Sequence, residues 1–238
     1  MNENLNENLI SKFLAIKVKD NEISEVEEDV CIESEFSIYL NDKFLARLSI
    51  TPNQIKEFGA GYVVCEGLGN KIKAINIIGD KIYVYTEENV NFQQRIFPEL
   101  KKVNSNIKID KEDVFKFIEE IKSDLWLKTG GVHCSALFHK KNLIVKAEDI
   151  GRHNTIDKVV GYAKLNNINL SECIIASSGR LAKDMIFKIS NAGIPIAITK
   201  SAPTNKGIIY ARESGITLIC FARENRFNIY SHPERINL

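Results

Sequence analysis

The sequence predicts a mixed α/β protein in two parts: a smaller β-rich part over residues 1–106 with one helix, and an α/β part over 107–238. Three observations predict it. Before about Asn106 the apolar residues alternate in short runs between polar turns, the period-two signature of hairpin strands. After residue 170 the period switches, and strand, helix, strand, helix and strand follow one another. With 238 residues, 44% of them hydrophobic and only 5 prolines, the chain can bury a core for one large domain or two modest ones.

Taken in order, Glu35 to Leu40, Phe44 to Ile50 and Lys81 to Tyr85 read as strands, with the first two joined by a turn from Leu40 to Lys43. Thr51-Pro52-Asn53 opens a helix through Cys65, because proline in a first turn loses no needed hydrogen bond, and Gly67 and Gly69 end it. Asp110 caps a second helix, where Val114, Phe117, Ile118 and Ile121 recur at i, i+3, i+4, i+7. That helix is expected to run to the stop at Thr129-Gly-Gly131. Leu137 to Lys146 reads as an antiparallel hairpin, and Ile156, Val159, Val160 and Ala163 as the buried face of a helix. Then come a strand (Cys173 to Ala176), a helix (Ala182, Met185, Ile186 and Ile189 on one face), a strand (Ile194 to Thr199), a helix (Asn205 to Glu213) and a strand (Ile216 to Phe221). Two successive βαβ units imply parallel strands with right-handed crossovers.

The 32 basic and 31 acidic residues leave a formal charge of +1, which argues against a general nucleic-acid binder. The opening MNENLNENLISKF lacks a basic region followed by an apolar run, and no stretch approaches the roughly 20 apolar residues of a membrane span, so a cytoplasmic protein is expected. Five scattered cysteines (Cys31, Cys65, Cys134, Cys173, Cys220) form no CxxC pair or zinc knuckle and suit a reducing compartment, and no metal site is expected. There is no internal repeat.

Polar residues concentrate where strands give way to helices: Ala147 to Asn154, Ala176 to Arg180 and Lys200 to Thr204. Ligands bind at such carboxyl ends of strands because helix N-termini offer unpaired N–H groups and a positive dipole. Ser178-Gly179 lets backbone approach an anion, and Arg180 can pair with a phosphate through its planar fork. Taken singly, each junction also matches an ordinary helix cap, with Asp149 at the dipole and the arginines solvated. Together the three favour a site. Asp149, Arg152, His153 and Asn154 crowd the first junction; Ser201 follows the third strand. In Thr129-Gly-Gly-Val-His-Cys134, His133 and Cys134 are adjacent, but neighbours on a strand face opposite ways, and Cys134 reads more readily as a small buried hydrophobe. Finally, Phe221 to Tyr230 reads as a hairpin turning at Glu224-Asn225, with Arg223 and Arg226 placed to clamp a pyrophosphate or stack on a base. The residues by themselves therefore describe an α/β anion or nucleotide binder.

The segments TGGVH (129 to 133), AEDIGRHNTIDKVVGYA (147 to 163), SSGR (177 to 180), AGIPIAITKSAPT (192 to 204) and GITLICFARENRFNIYSHPERI (215 to 236) resemble the formate dehydrogenase accessory protein family, FdhD. The likeness reaches back to TPNQIKEFGAGYVVCEGLG (51 to 69). The resemblance implies a cytidine-deaminase-like three-layer α/β domain, a β-rich N-terminal part and a homodimer. It also implies a function: receiving sulfur from a cysteine desulfurase and passing it to the bis(molybdopterin guanine dinucleotide) cofactor of a molybdenum-dependent formate dehydrogenase, whose catalytic subunit is the partner. The family links the segment matching Phe221, Ala222, Arg223, Glu224, Asn225 and Arg226 to the cofactor, and GDP is the expected mimic. His133, Asp149, Arg152, His153, Ser178, Gly179, Arg180 and Ser201 complete the candidate site. One departure matters: the family's sulfur carrier is a CxxC-type loop, and the corresponding stretch, approximately Phe92 to Ser105, has no cysteine. A persulfide needs a thiolate. Three readings follow: a cofactor-binding chaperone, a sulfurtransferase using another thiol with Cys134 as candidate, or a deaminase-like enzyme on a free nucleotide. The last lacks the fold's HxE and PCxxC zinc signature.

Overall fold

The computed structural model describes residues 9–88 and 100–238, so the cysteine-free stretch lies, up to residue 99, outside the described residues. Strands β1 (Ile10–Lys19) and β2 (Glu22–Cys31) form a separate two-stranded antiparallel ribbon. A four-stranded sheet of order β4-β3-β6-β5 follows, from β3 (Ser34–Leu40), β4 (Lys43–Ile50), β5 (Ile72–Ile78) and β6 (Lys81–Thr86). The β3–β4 turn is the expected one: Asn41 and Asp42 both take positive φ, which short polar side chains tolerate.

Helix α1 (Ile55–Cys65) begins later than Thr51-Pro52 suggested. The Thr51 backbone is already engaged, its N–H donating to Asp149 and its carbonyl accepting from Lys158, so the chain turns through a left-handed Gln54 before winding. Phe58, Tyr62 and Val63 of α1 pack on the four-stranded sheet, while Val64 and Cys65 join the core of the second part.

After the short β7 (Ile109–Asp110), the Asp110 N–H donates to the Asp113 carboxylate at the start of α2 (Lys111–Glu120). The single helix expected up to Gly130 is two: α2 stops at Ile121, and α3 (Asp124–Thr129) restarts from a Ser123 cap whose hydroxyl accepts from the Trp126 N–H. The apolar i, i+3, i+4, i+7 spacing ends at Ile121, and Ser123 offers a better start than a continuation.

The main sheet has order β13-β12-β11-β10-β8-β9. Its strands are β8 (His133–His139), β9 (Asn142–Asp149), β10 (Cys173–Ser177), β11 (Ile196–Thr199), β12 (Thr217–Arg223) and β13 (Arg226–Ser231); β14 (Ile236–Asn237) pairs with β7 instead. The expected βαβ units are present as parallel β10–β11 and β11–β12 pairs, and the β8–β9 hairpin is longer than its Leu137–Lys146 centre. One face of the sheet packs on α4 (Arg152–Leu165), α5 (Lys183–Ala192) and α6 (Asn205–Ser214), and the other on α2, giving three layers.

The two parts share a tight seam. A Cβ at Gly61 would lie 1.7 Å from the Asp157 carbonyl oxygen, and one at Gly161 would lie 1.8 Å from that of Glu57, so only glycine lets α1 and α4 cross backbone to backbone. Beside the crossing, buried Lys188 of α5 meets both oxygens of Asp157 at 3.0 Å and Glu66, the residue that ends α1, at 2.9 Å. Burial would lower the lysine's pKa, and the two carboxylates outweigh it and hold it above its ordinary value. Among the described residues no helix is long and apolar enough to cross a membrane.

Candidate functional site

Strands β9 to β12 all run toward one edge, because β9 and β10 both pair antiparallel with β8, and β10, β11 and β12 are mutually parallel. The three strand-to-helix junctions, the start of β8 and the β12–β13 turn therefore collect at that edge. Most of the candidate residues read from the sequence meet there, and backbone links connect them. The Ser178 N–H donates to the Cys134 carbonyl at 2.8 Å, and the Ser178 hydroxyl accepts from the Cys134 N–H at 2.9 Å. That hydroxyl also lies 3.2 Å from His133 Nδ1. A hydroxyl already accepting from an amide keeps its own proton to donate to the ring. Burial lowers the His133 pKa and the charges of Arg152 and Lys200 add to it, keeping the ring neutral at neutral pH.

Gly179 makes room for Arg152: a Cβ there would stand 2.8 Å from the arginine's own Cβ. Thr199 Oγ1 donates to the Gly179 carbonyl at 2.7 Å and accepts from the Ser201 N–H at 3.0 Å, tying the second junction to the third. The Phe221 N–H in turn donates to the Ser201 carbonyl at 3.0 Å. Phe221 itself has φ 55°, at an irregularity between Cys220 and Arg223 that ends regular pairing and aims the turn. Arg223 reaches the Lys200 carbonyl at 3.5 Å. Arg180, Lys200, Arg223 and Arg226 are exposed, and among the described residues no carboxylate lies within ion-pair reach of them. Cations left unpaired along one strand edge suit an anionic, phosphate-bearing ligand.

Not every candidate side chain faces this edge. Asp149 is fully enclosed: its carboxylate accepts from the N–H groups of Thr51 and Gly151 and from Asn154, and pairs with buried Lys158 at 2.6 Å. It props the start of α4, the turn from Gly151 into Arg152 and His153, from beneath. His153 turns to Asp184 at 2.6 Å, with Arg152 3.8 Å from the same carboxylate. Burial pushes Asp184 up, and the His153 hydrogen bond and charge with Arg152 outweigh it and hold the carboxyl below its usual range. Ala222 is buried in the sheet core, while Glu224 and Asn225 sit exposed at the tip of the turn. Cys134, the candidate thiol, faces the α2 side of the sheet at 1% exposure, and burial pushes its pKa to about 12. A thiol so placed carries negligible thiolate at neutral pH, so the structure does not support it as a sulfur carrier. Of the five cysteines, Cys31 alone is not buried.

Beside this edge, a cavity of about 540 Å³ opens between α3 and the start of β8, lined by His133, Cys134 and Ser178 together with Trp126, Lys122 and Lys200. Trp126 and Lys200 were not singled out by sequence reasoning. They are far apart in the chain, and the one available signal was a tryptophan, the only one in the sequence, shortly before the double glycine.

Comparison with known proteins agrees with this architecture. A family model described as the FdhD/NarQ family matches residues 84–237. The Protein FdhD of Methanocaldococcus jannaschii is 40% identical, covering 94% of this chain and 97% of that one. The Sulfur carrier protein FdhD of Methanothermobacter thermautotrophicus is 34% identical over 91% of this chain and 95% of its own. A crystal structure described as that of a formate dehydrogenase accessory protein from Desulfotalea psychrophila superposes with a TM-score of 0.87 at 30% identity, covering 96% of this chain and all of that one. The chain belongs to the FdhD/NarQ family.

Proposed function

We propose that this chain is an accessory protein for maturation of a molybdenum-dependent formate dehydrogenase, and that it binds the bis(molybdopterin guanine dinucleotide) cofactor as cargo. The observation that carries this reading is the row of cations Arg180, Lys200, Arg223 and Arg226, without a carboxylate partner among the described residues, along the edge that also offers the Ser178-Gly179 backbone. A guanine dinucleotide presents several phosphates, and fixed donors rather than a proton shuttle are what such a cargo needs. The names of the relatives, as formate dehydrogenase accessory protein and sulfur carrier, support the same setting. The recipient is the dehydrogenase's catalytic subunit, met in the cytoplasm. Pairing of two copies of the chain is supported by the apolar side chains exposed along the β1–β2 ribbon, among them Leu14, Ile16 and Val18.

Isothermal titration with GDP tests the reading. Arg226→Ala and Arg223→Ala should each weaken GDP roughly 10-fold or more, as loss of a charge-assisted hydrogen bond requires. Unchanged affinity in a folded Arg226→Ala variant removes the hairpin from the site. Sulfur transfer through Cys134 is the alternative, and its burial weighs against it. Incubation with a cysteine desulfurase and labelled cysteine, followed by peptide mass spectrometry, should find no persulfide on Cys134. Label that disappears in Cys134→Ala would restore the sulfurtransferase reading.

A further inference from the structure

The cavity beside the cationic edge contains a feature that phosphate binding does not use. Its wall on the α3 side is the Trp126 indole, which is 50% exposed although α3 is otherwise anchored through buried Leu125. Lys200 lies 5.7 Å from the ring centroid, within cation–π reach. Exposing half of a tryptophan forfeits apolar burial, and here the exposed part borders a recess of about 540 Å³, a size usual for a small-molecule site. The recess is mixed in chemistry. Trp126 and Leu127 offer apolar surface, and His133, Ser178 and Lys200 offer hydrogen-bonding groups. A flat heteroaromatic ring with polar edges fits such a wall and floor better than an aliphatic or purely anionic group does.

Position supplies the second half of the inference. Lys200 belongs both to this cavity and to the cationic row, because its carbonyl receives Arg223 while its ammonium reaches over Trp126. One ligand can therefore have its ring in the cavity and its phosphates along the row without a gap between the two. We propose that Trp126 is the stacking platform for the guanine base of the bound nucleotide, with Lys200 spanning base and phosphate. This rests on the cofactor-binding reading above and adds to it a residue, a ring and an orientation: base toward α3, phosphates toward the β12–β13 hairpin.

Because Trp126 is the sole tryptophan of the chain, its fluorescence reports on this one position. GDP, guanosine and inorganic pyrophosphate are titrated separately into the full-length protein, with calorimetry in parallel. GDP and guanosine should quench the emission, whereas pyrophosphate should leave it unchanged and still compete with GDP. Trp126→Ala should weaken GDP about 10-fold or more, pyrophosphate hardly at all, and Trp126→Phe should recover most of the loss. Circular dichroism and a melting curve confirm that the variants fold. GDP that binds by calorimetry without quenching, and with equal affinity in Trp126→Ala, overturns the platform and leaves the cofactor reading standing. Failure of both GDP and pyrophosphate to bind the wild-type protein overturns the cofactor reading and the platform with it.

Discussion

Replacing Asp149 with alanine should cost the protein about 3–5 kcal/mol, the usual consequence of breaking a fully buried ion pair by removing one partner. The structure explains why the cost should sit at the upper end. Both side chains are wholly enclosed, and Lys158 keeps contacts only with the carbonyls of Thr51 and Glu148 and with Asn53 once the carboxylate is gone. The N–H groups of Thr51 and Gly151 lose their acceptor as well. For a chain of this size the loss corresponds to a fall in Tm on the order of 10 °C. Burial already holds Lys158 below the ordinary lysine range against the pull of Asp149, and without Asp149 it falls further. A lysine depressed in the folded state is protonated only in the unfolded state over that interval, so stability then rises with pH. Urea melts at pH 7 and pH 9 should therefore show a smaller penalty for Asp149→Ala at the higher pH. The double variant Asp149→Ala/Lys158→Met should be more stable than the sum of the two single losses requires, because no charge is left stranded. Strict additivity, with no dependence on pH, would refute the assignment of this pair as the prop beneath the start of α4.

Three other perturbations separate causes elsewhere in the molecule. Gly161→Ala gains up to about 1 kcal/mol of helix propensity yet should destabilise by 1–3 kcal/mol or more, since its Cβ would lie 1.8 Å from the Glu57 carbonyl oxygen; an unchanged or raised urea midpoint would show that the α1–α4 seam is looser than described. In the native protein at pH 7.5 a thiol-selective reagent should modify Cys31 first, while Cys134, Cys173 and Cys220, each pushed to about 12 by burial, react only on unfolding; fast labelling of Cys134 would contradict its placement. His133 has a lowered pKa, so its contribution to stability is complete above the ordinary histidine value of about 6.5 and is lost as pH falls through the lower folded value. A proton NMR titration should place its midpoint below that of an exposed histidine, and a midpoint above 6.5 would mean that Ser178 and its surroundings do not act as described.

Much of the fold could be read from the chain because its local signals agree with its global ones. The βαβ units after residue 170 show apolar strands between amphipathic helices, and Asp110 stands where a helix start needs a cap. The turn at Glu224-Asn225 likewise falls between two runs of strand formers. The β1–β2 ribbon was not legible, since neither face is buried: acidic residues crowd Glu22–Cys31, and the short alternation of Leu14, Ile16 and Val18 in β1 packs on no core within the chain. The break between α2 and α3 was hidden because Lys122 and Ser123 carry no glycine or proline and the following residues are again apolar. Within the site, the edge was legible as a set of junctions, whereas side-chain direction was not. Asp149 and Ala222 lie at the right place in the chain and point into the core, and Trp126 gains its meaning only from Lys200, brought to it by the closing of the sheet.

The contact between Thr51 and Lys158 also sets a clock for assembly. The two residues are 107 positions apart, so a ribosome adding about 5–20 residues per second exposes the first many seconds before it makes the second. Until then α1 shows solvent the very glycine surface on which α4 will settle, and Glu66 waits without Lys188. The first turn of α4, which bears Arg152 and His153, gains its support from Thr51 only when the late helices dock on the early part. A nascent or truncated chain therefore lacks the support that fixes Arg152 and His153 at the sheet edge, and that edge is complete only in molecules whose synthesis is essentially finished.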